Sequence, residues 1–378
     1  MILDTLCLDN FRNYHSLEIT FQKGINVLYG NNGQGKTNIL ESIYLLAIGK
    51  SFRYAKDMDL IRQDHEKFSV DAIFKEDITE HVMIRFNREK EKSIQINGLF
   101  LRKIGHLMGA VMAVLFAPED MQLISDGPSV RRKFMDVAIS QLKPSYFFDL
   151  QQYSKILMQK NNLLKTIKRG PKKDSHMSML SVWNDRLAET GARIILDRLQ
   201  FIHQLTEIAA EMHGIISGKK EFLQIKYDDS VSVEHIQENE EHKLKCEEIR
   251  IYFTDLLERR MEREIDREIS LYGPHRDDLL FSLNEEDIKK FGSQGQKRTV
   301  ILSLKMAELE IMKRRTGRTP LLLLDDVFSE LDKERQTALI QNMEQVQTFI
   351  TCVENTPFQV KTEHPAKMFF VKNGTVML

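Results

Sequence analysis

The stretch Gly30-Asn31-Asn32-Gly33-Gln34-Gly35-Lys36-Thr37 constrains this chain more than any other. It completes the pattern G-x-x-x-x-G-K-[ST], in which glycines let backbone N–H groups close around phosphates. Ile25 to Tyr29 reads as a short buried strand before it. Asn38 to Ile48 reads as a helix with Ile39, Leu40, Ile43, Leu46 and Ala47 on one face, stopped by Gly49. The spacing therefore predicts strand, loop and helix, with the loop at a helix N-terminus that favours anions. Lys36 is placed to reach the β- and γ-phosphates and Thr37 to ligate Mg²⁺. The whole loop and the following Asn38 form a predicted ATP or GTP site.

Composition sets bounds. With 378 residues and 42% hydrophobic side chains, the chain is long enough to bury a large core and to form two lobes. Cys7, Cys246 and Cys352 are far apart and lack histidines at ligand spacing, which argues against a disulfide framework or a zinc site. Met1 to Leu8 carries no basic leader, and no apolar run reaches membrane length, so a cytoplasmic protein without a membrane partner is expected. A net charge of −1 confines any nucleic-acid surface to a local basic patch.

Three further elements extend the nucleotide reading. Leu321 to Leu324 is an apolar strand ending in Asp325 and Asp326. Such a strand delivers carboxylates at its C-terminal tip, where Asp325 can hold Mg²⁺ and Asp326 can polarise an attacking water, as in a Walker B element. Phe291-Gly292-Ser293-Gln294-Gly295-Gln296 precedes a helical run from Lys297 to Arg315. A Ser-x-Gly-Gln turn there has the layout of an ABC signature, with Ser293, Gly295 and Gln296 facing a γ-phosphate. Ser329-Glu330-Leu331-Asp332 matches an ABC D-loop, or else Asp332 simply caps the helix from Lys333 to Gln345. Thr351 stands after the strand Thr348 to Ile350, where ABC ATPases often carry a switch histidine. Arg12 and Asn13 end the first strand and either touch the nucleotide or form a plain turn.

Thr37 and Asp325 are far apart in sequence yet must meet one nucleotide, so the chain between them leaves a core and returns to it. Its first part reads as strands, including a hairpin at Asn97-Gly98. From about Arg131 to Tyr272 the pattern is helical: Tyr146 to Ile167, Met179 to Ile215 with a Gly170-Pro171 tip between them, and Glu247 to Leu271. Strands resume at Asp278 and close with a hairpin at Asn373-Gly374. The expected fold class is α/β: a phosphate-loop ATPase lobe of residues 1–128 and 275–378, and a mainly helical lobe of residues 129–274 with a short antiparallel arm.

These blocks, together with Phe116-Ala117-Pro118-Glu119-Asp120-Met121, Pro128 to Asp136 and Leu271 to Asp278, resemble the RecF family of SMC-like ABC ATPases over the whole chain. One departure is that Gly127 directly precedes Pro128, where the family usually has Gly-x-Pro. The resemblance implies ATP-dependent binding of duplex and gapped DNA and slow ATP hydrolysis. It also implies action with RecO and RecR in loading RecA at gaps. The residues add, independently, that a signature turn without a phosphate in its own subunit calls for an ATP-dependent homodimer. Candidate DNA contacts are Lys155, Lys160, Lys165, Lys168, Arg169, Lys172 and Lys173 on the arm, and Arg259, Arg260, Arg263 and Arg267 on the third helix, set against acidic neighbours such as Glu258, Glu262 and Glu264. Arg131, Arg132, His275 and Arg276 are candidates for DNA contact or for a structural network. The acidic run Glu234 to Glu248 reads as a solvated loop. A structural adaptor whose ATP-bound dimer recruits RecR, and another SMC-like ATPase, remain alternatives.

Overall fold

The computed structural model describes residues 1–75, 79–171, 173–232, 246–327, 336, 343, 345–353 and 366–377. The D-loop match 329–332, most of the helix expected over 333–345, most of the acidic run 234–248 and Lys172 lie outside the described residues.

Two compact units emerge. The first contains residues 1–122, 208–223 and 290–378, the second residues 123–207 and 224–289. This differs from the division expected at 128/129 and 274/275. The reason is visible in the second unit, where Arg131 pairs with Asp278 at 2.6 Å and Lys289 donates to the Asp126 carbonyl at 3.0 Å. These contacts hold residues 123–128 and 275–289 to the helical body.

In the first unit, β1 (Ile2–Phe11) and β2 (Tyr14–Thr20) form an antiparallel pair, and β3 (Ile25–Tyr29) leads through the glycine loop into α1 (Lys36–Ile48). Next come β4 (Lys67–Lys75), β5 (Glu80–Asn87), β6 (Lys92–Ile96), β7 (Leu99–Phe100) and β8 (Ala113–Phe116). The one-turn α2 (Gln122–Ser125) and α3 (Pro128–Leu142) then begin the helical part.

The second unit continues with α4 (Pro144–Arg169) and α5 (Asp174–Ile216), whose last turns count with the first unit. After them come β9 (Leu223–Asp228), α6 (Cys246–Arg259), α7 (Met261–Arg267), β10 (Asp278–Leu283), β11 (Glu286–Asp287) and the short α8 (Ile288–Phe291). The third helix expected over 247–271 is thus two helices, broken at Arg260. At the arm tip Leu163, Leu164 and Ile167 of α4 pack with Leu180 of α5 and Ile265 of α7.

The chain returns to the first unit through α9 (Gln294–Thr316), β12 (Leu321–Leu324), β13 (Thr348–Cys352), β14 (Lys367–Lys372) and β15 (Thr375–Met377). One sheet has the order β2-β1-β4-β5-β6-β7; the other, β15-β14-β3-β13-β12-β8, is parallel except for β15. A parallel sheet covered on both faces needs continuous apolar strands, and Leu321 to Leu324 are each at most 1% exposed. Helix α1 lies between the two sheets, touching β8 and β13 as well as β4 and β5. It is therefore buried all round, Leu45 and Glu41 included, rather than on one face. Gln347 stitches the sheets together: its side chain accepts from Leu3 N at 2.6 Å and donates to the carbonyls of Leu3 and Gln22. The architecture is α/β: a unit of two sheets around α1, and a mainly helical unit with an antiparallel arm.

Candidate nucleotide site

The glycine loop adopts backbone angles that side chains resist. Gly30 has φ 145°, and a β-carbon there would lie 2.3 Å from the Val371 carbonyl oxygen. Gly35 caps α1 at φ 116°, and a β-carbon would meet Asn13 at 2.6 Å and the Tyr14 hydroxyl at 2.8 Å. The loop is clamped by groups that local sequence signals did not identify as neighbours. Asn13 Nδ2 donates to the Gln34 carbonyl at 2.9 Å and Tyr14 Oη to the Gly35 carbonyl at 3.1 Å. From the chain's other end, Gly374 N donates to the Gln34 carbonyl and Asn373 N to Gln34 Oε1.

Lys36 folds back over the loop, donating to the carbonyls of Gly30 at 2.7 Å and Asn31 at 2.9 Å. Burial pushes its pKa down, opposed by the charges of Asp326, Cys352 and Asp325. Thr37 Oγ1 donates to Asp325 Oδ1 at 2.9 Å, so residues 288 apart in sequence meet. The sheet explains how. Strand β13 lies between β3 and β12, with Ile350 level with both Val27 and Leu324. The next residue on β13 is Thr351, and its hydroxyl donates to the same Asp325 Oδ1 at 2.7 Å. That hydroxyl also accepts from Asp326 N at 2.9 Å. Thr351 thus ties the two aspartates together at the position where ABC ATPases often carry a switch histidine. Burial raises the Asp325 pKa, while the hydrogen bonds from Thr351 and Thr37 pull it down. Asp326 sits at φ 55°, a left-handed conformation that Asp tolerates better than most residues.

Arg12 is engaged elsewhere. Its guanidinium makes a two-pronged pair with the buried Glu41 of α1 at 2.7 and 2.8 Å and donates to the Asp59 carbonyl. Beside it a cleft opens, lined by Arg12, Asn13, Asn38, Arg53, Arg62 and His65. Arg53 and Arg62 carry no motif, which is why the sequence did not point to them. Ser293 caps α9: its Oγ accepts from Gln296 N at 3.2 Å, and Gln296 Oε1 accepts from Ser293 N at 2.8 Å. Thr299 Oγ1 donates to the Gly295 carbonyl at 2.9 Å.

The basic candidates separate by burial. Lys160 is fully buried and pairs with Glu264 at 2.7 Å, itself 1% exposed, so neither is part of a solvated face. Lys168 and Arg169 pair with Asp266 and Glu268. Lys155, Lys165, Lys173, Arg259, Arg260, Arg263 and Arg267 are exposed. Arg131 is spent on Asp278, Arg132 donates to the Asp277 carbonyl and Arg276 to the Ser270 carbonyl. His275 meets Tyr153 Oη at 2.8 Å and is pushed down to about 4 by burial, so it is neutral at physiological pH. All four are engaged inside the second unit: Arg132 joins, through Asp277, the network of buried Arg198 with Asp136 and Tyr146, Arg131 is held by the neighbouring Asp278, and His275 and Arg276 meet at the Ser270 carbonyl.

The family described as RecF/RecN/SMC N terminal domain matches residues 2–377. The chain is 44% identical, over 360 residues and 95% of each chain, to a DNA replication and repair protein RecF from Acetivibrio thermocellus. The chain belongs to the RecF family. A solved structure of the recombination mediator protein RecF with ATP, in the RecFOR pathway, is 36% identical, with a TM-score of 0.88, covering 100% of this chain and 97% of that one. An Smc head domain with an extended coiled coil, from Pyrococcus furiosus, shares the fold at 15% identity and a TM-score of 0.54, covering 99% of this chain and 95% of that one. In this fold the glycine loop after β3 and the two aspartates after β12 lie at the same, C-terminal end of the parallel strands, with β13 between them. No described helix in this RecF-family chain is long and apolar enough to cross a membrane.

Proposed function

We propose that this RecF-family chain is an ATP-gated, two-fold dimeric ATPase of recombinational repair that binds duplex and gapped DNA. The observation that carries the reading is the meeting of Thr37 with Asp325 at 2.9 Å, at the end of a loop whose glycines hold backbone angles that side chains resist. RecF relatives and the solved RecF with ATP support it.

The donor set fits Mg²⁺, which favours hard oxygen ligands and keeps few protein groups. Thr37 and Asp325 would hold it. No group of three or more metal-ligating His, Cys, Asp or Glu occurs among the described residues, so the remaining positions would fall to phosphate and water. The ion, when bound, neutralises phosphate charge. Lys36, now on loop carbonyls, turns to the β- and γ-phosphates, and the loop amides of Asn31 to Thr37 and Asn38 line them. Ser293 and Gly295 of a second copy close over the γ-phosphate, with Gln296 holding the turn, and Asp326 orients the attacking water. Hydrolysis then opens the dimer, a slow release switch stimulated by DNA. Action with RecO and RecR to load RecA is part of the same proposal, supported by the RecF relatives and by the solved RecF of the RecFOR pathway.

Sedimentation with and without Mg-ATP, paired with anisotropy of a labelled gapped duplex, tests this reading. Wild type should dimerise and bind DNA more tightly with ATP. Lys36→Ala should lose ATP binding and both responses, and Ser293→Arg should keep ATP but stay monomeric. Association and DNA binding indifferent to ATP in the wild type would refute the proposal.

A further inference from the structure

The signature turn is braced from a segment that has no nucleotide motif. Residues 208–223, which include the last turns of α5, fold in the same unit as α9. The Gln296 amide is held at both ends there. Its oxygen accepts from Ser293 N, and its Nε2 donates to Glu221 Oε1 at 2.9 Å. The second carboxylate oxygen, Glu221 Oε2, lies 3.1 Å from Nε2 of His213, which is wholly buried. The other ring nitrogen, Nδ1, lies 3.2 Å from Ser303 Oγ on α9, and Ser303 donates to the Thr299 carbonyl at 2.7 Å. The path Ser293, Gln296, Glu221, His213, Ser303 therefore leaves α9 and comes back to it two turns further on.

The chemistry of an amide gives the brace its meaning. Gln296 has an oxygen at one side and an NH₂ at the other, and only the oxygen can accept from Ser293 N. A carboxylate accepts but does not donate, so Glu221 attracts the NH₂ end and repels the oxygen end. Removing it takes away one of the two groups that select this orientation and leaves Ser293 N alone to hold it, so the cap at Ser293 becomes one arrangement among several.

We propose that Glu221 is a positioning residue for the signature: through Gln296 it holds the Ser293 turn in the arrangement that a second copy's γ-phosphate meets, and His213 holds Glu221. This rests on the dimer reading above. Glu221 touches no phosphate in that reading and should leave ATP capture by the phosphate loop alone.

Glu221→Ala and Glu221→Gln would be compared by sedimentation with Mg-ATP, by binding of a fluorescent ATP analogue at concentrations where the chain is monomeric, and by melting temperature. Glu221→Ala should weaken ATP-dependent association by about tenfold or more, because a two-fold dimer contains the defect twice. Its monomeric ATP binding should stay within about twofold of wild type. Glu221→Gln, which still offers an oxygen to Gln296 Nε2, should restore most of the association. Wild-type association of Glu221→Ala while Ser293→Arg stays monomeric would overturn the proposal and leave the dimer reading standing. Normal association of Ser293→Arg would sink the dimer reading and this proposal with it. A joint fall in melting temperature and monomeric ATP binding, with Glu221→Gln no better than Glu221→Ala, would assign Glu221 a plain structural role instead.

Discussion

Replacing Thr351 by Val removes one hydroxyl and almost no volume, which isolates the tether between the two aspartates. In the wild type that hydroxyl donates to Asp325 Oδ1 at 2.7 Å and accepts from Asp326 N at 2.9 Å, at a position 1% exposed. A hydrogen bond to a charged group contributes about 1.5–3 kcal/mol, and a buried N–H left unpaired costs about 1–3 kcal/mol. Asp325 keeps the bond from Thr37, so the combined loss should be about 2–4 kcal/mol rather than the full sum. The pH dependence has a definite sign. Burial already raises the Asp325 pKa above its ordinary 3.8, and losing Thr351 raises it further. A raised carboxyl favours the protonated fold, so its contribution is fully present below the unfolded pKa and lost as pH rises through the folded one. The variant's deficit should therefore be largest at neutral pH and smaller near pH 4. Urea unfolding at the two pH values measures it, with Thr351→Ser as the control that keeps the hydroxyl. A Val variant within about 0.5 kcal/mol of wild type at neutral pH, or a deficit that does not change with pH, would refute the tether argument.

Three further outcomes are expected. Lys160→Met should destabilise the chain by about 3–5 kcal/mol in urea unfolding, because it strands the buried Glu264 carboxylate, and Lys160→Met/Glu264→Leu should recover only part of the loss, because Ser270 Oγ and Leu271 N then lose their acceptor. The salt dependence of DNA binding by the Lys160 variant should not change. Gly35→Ala should cost about 1–3 kcal/mol in backbone strain, with crowding against Asn13 and Tyr14 added to it. A fall of about tenfold or more in affinity by ATP titration calorimetry checks its effect on the loop. Arg263→Glu/Arg267→Glu, on the exposed face of α7, should flatten the salt dependence of DNA affinity if that helix contacts phosphate; an unchanged slope removes α7 from the interface.

What the sequence determined by itself was local chemistry. The glycine loop, its flanking strand and helix, the apolar strand ending in Asp325 and Asp326, and the cap at Ser293 are each written in a short window, because turn geometry, helix capping and strand periodicity are short-range effects. The burial of Lys160 was also within reach. Tyr153, Ile156, Leu163, Leu164 and Ile167 place their stripe at helical spacing, and Lys160 falls on it. The tertiary structure decided which strands became neighbours. Putting β13 between β3 and β12 brought Thr351 to Asp325, and pairing β14 with β3 brought Asn373 and Gly374 onto the phosphate loop. The same holds for Arg12, whose partner Glu41 lies on a helix held between two sheets, and for Glu221, which meets Gln296 of the Ser293 turn. Contacts of this kind join segments far apart in the chain, and their partners are set by how whole sheets and helices bury apolar surface against each other, a property that no single stretch of sequence carries.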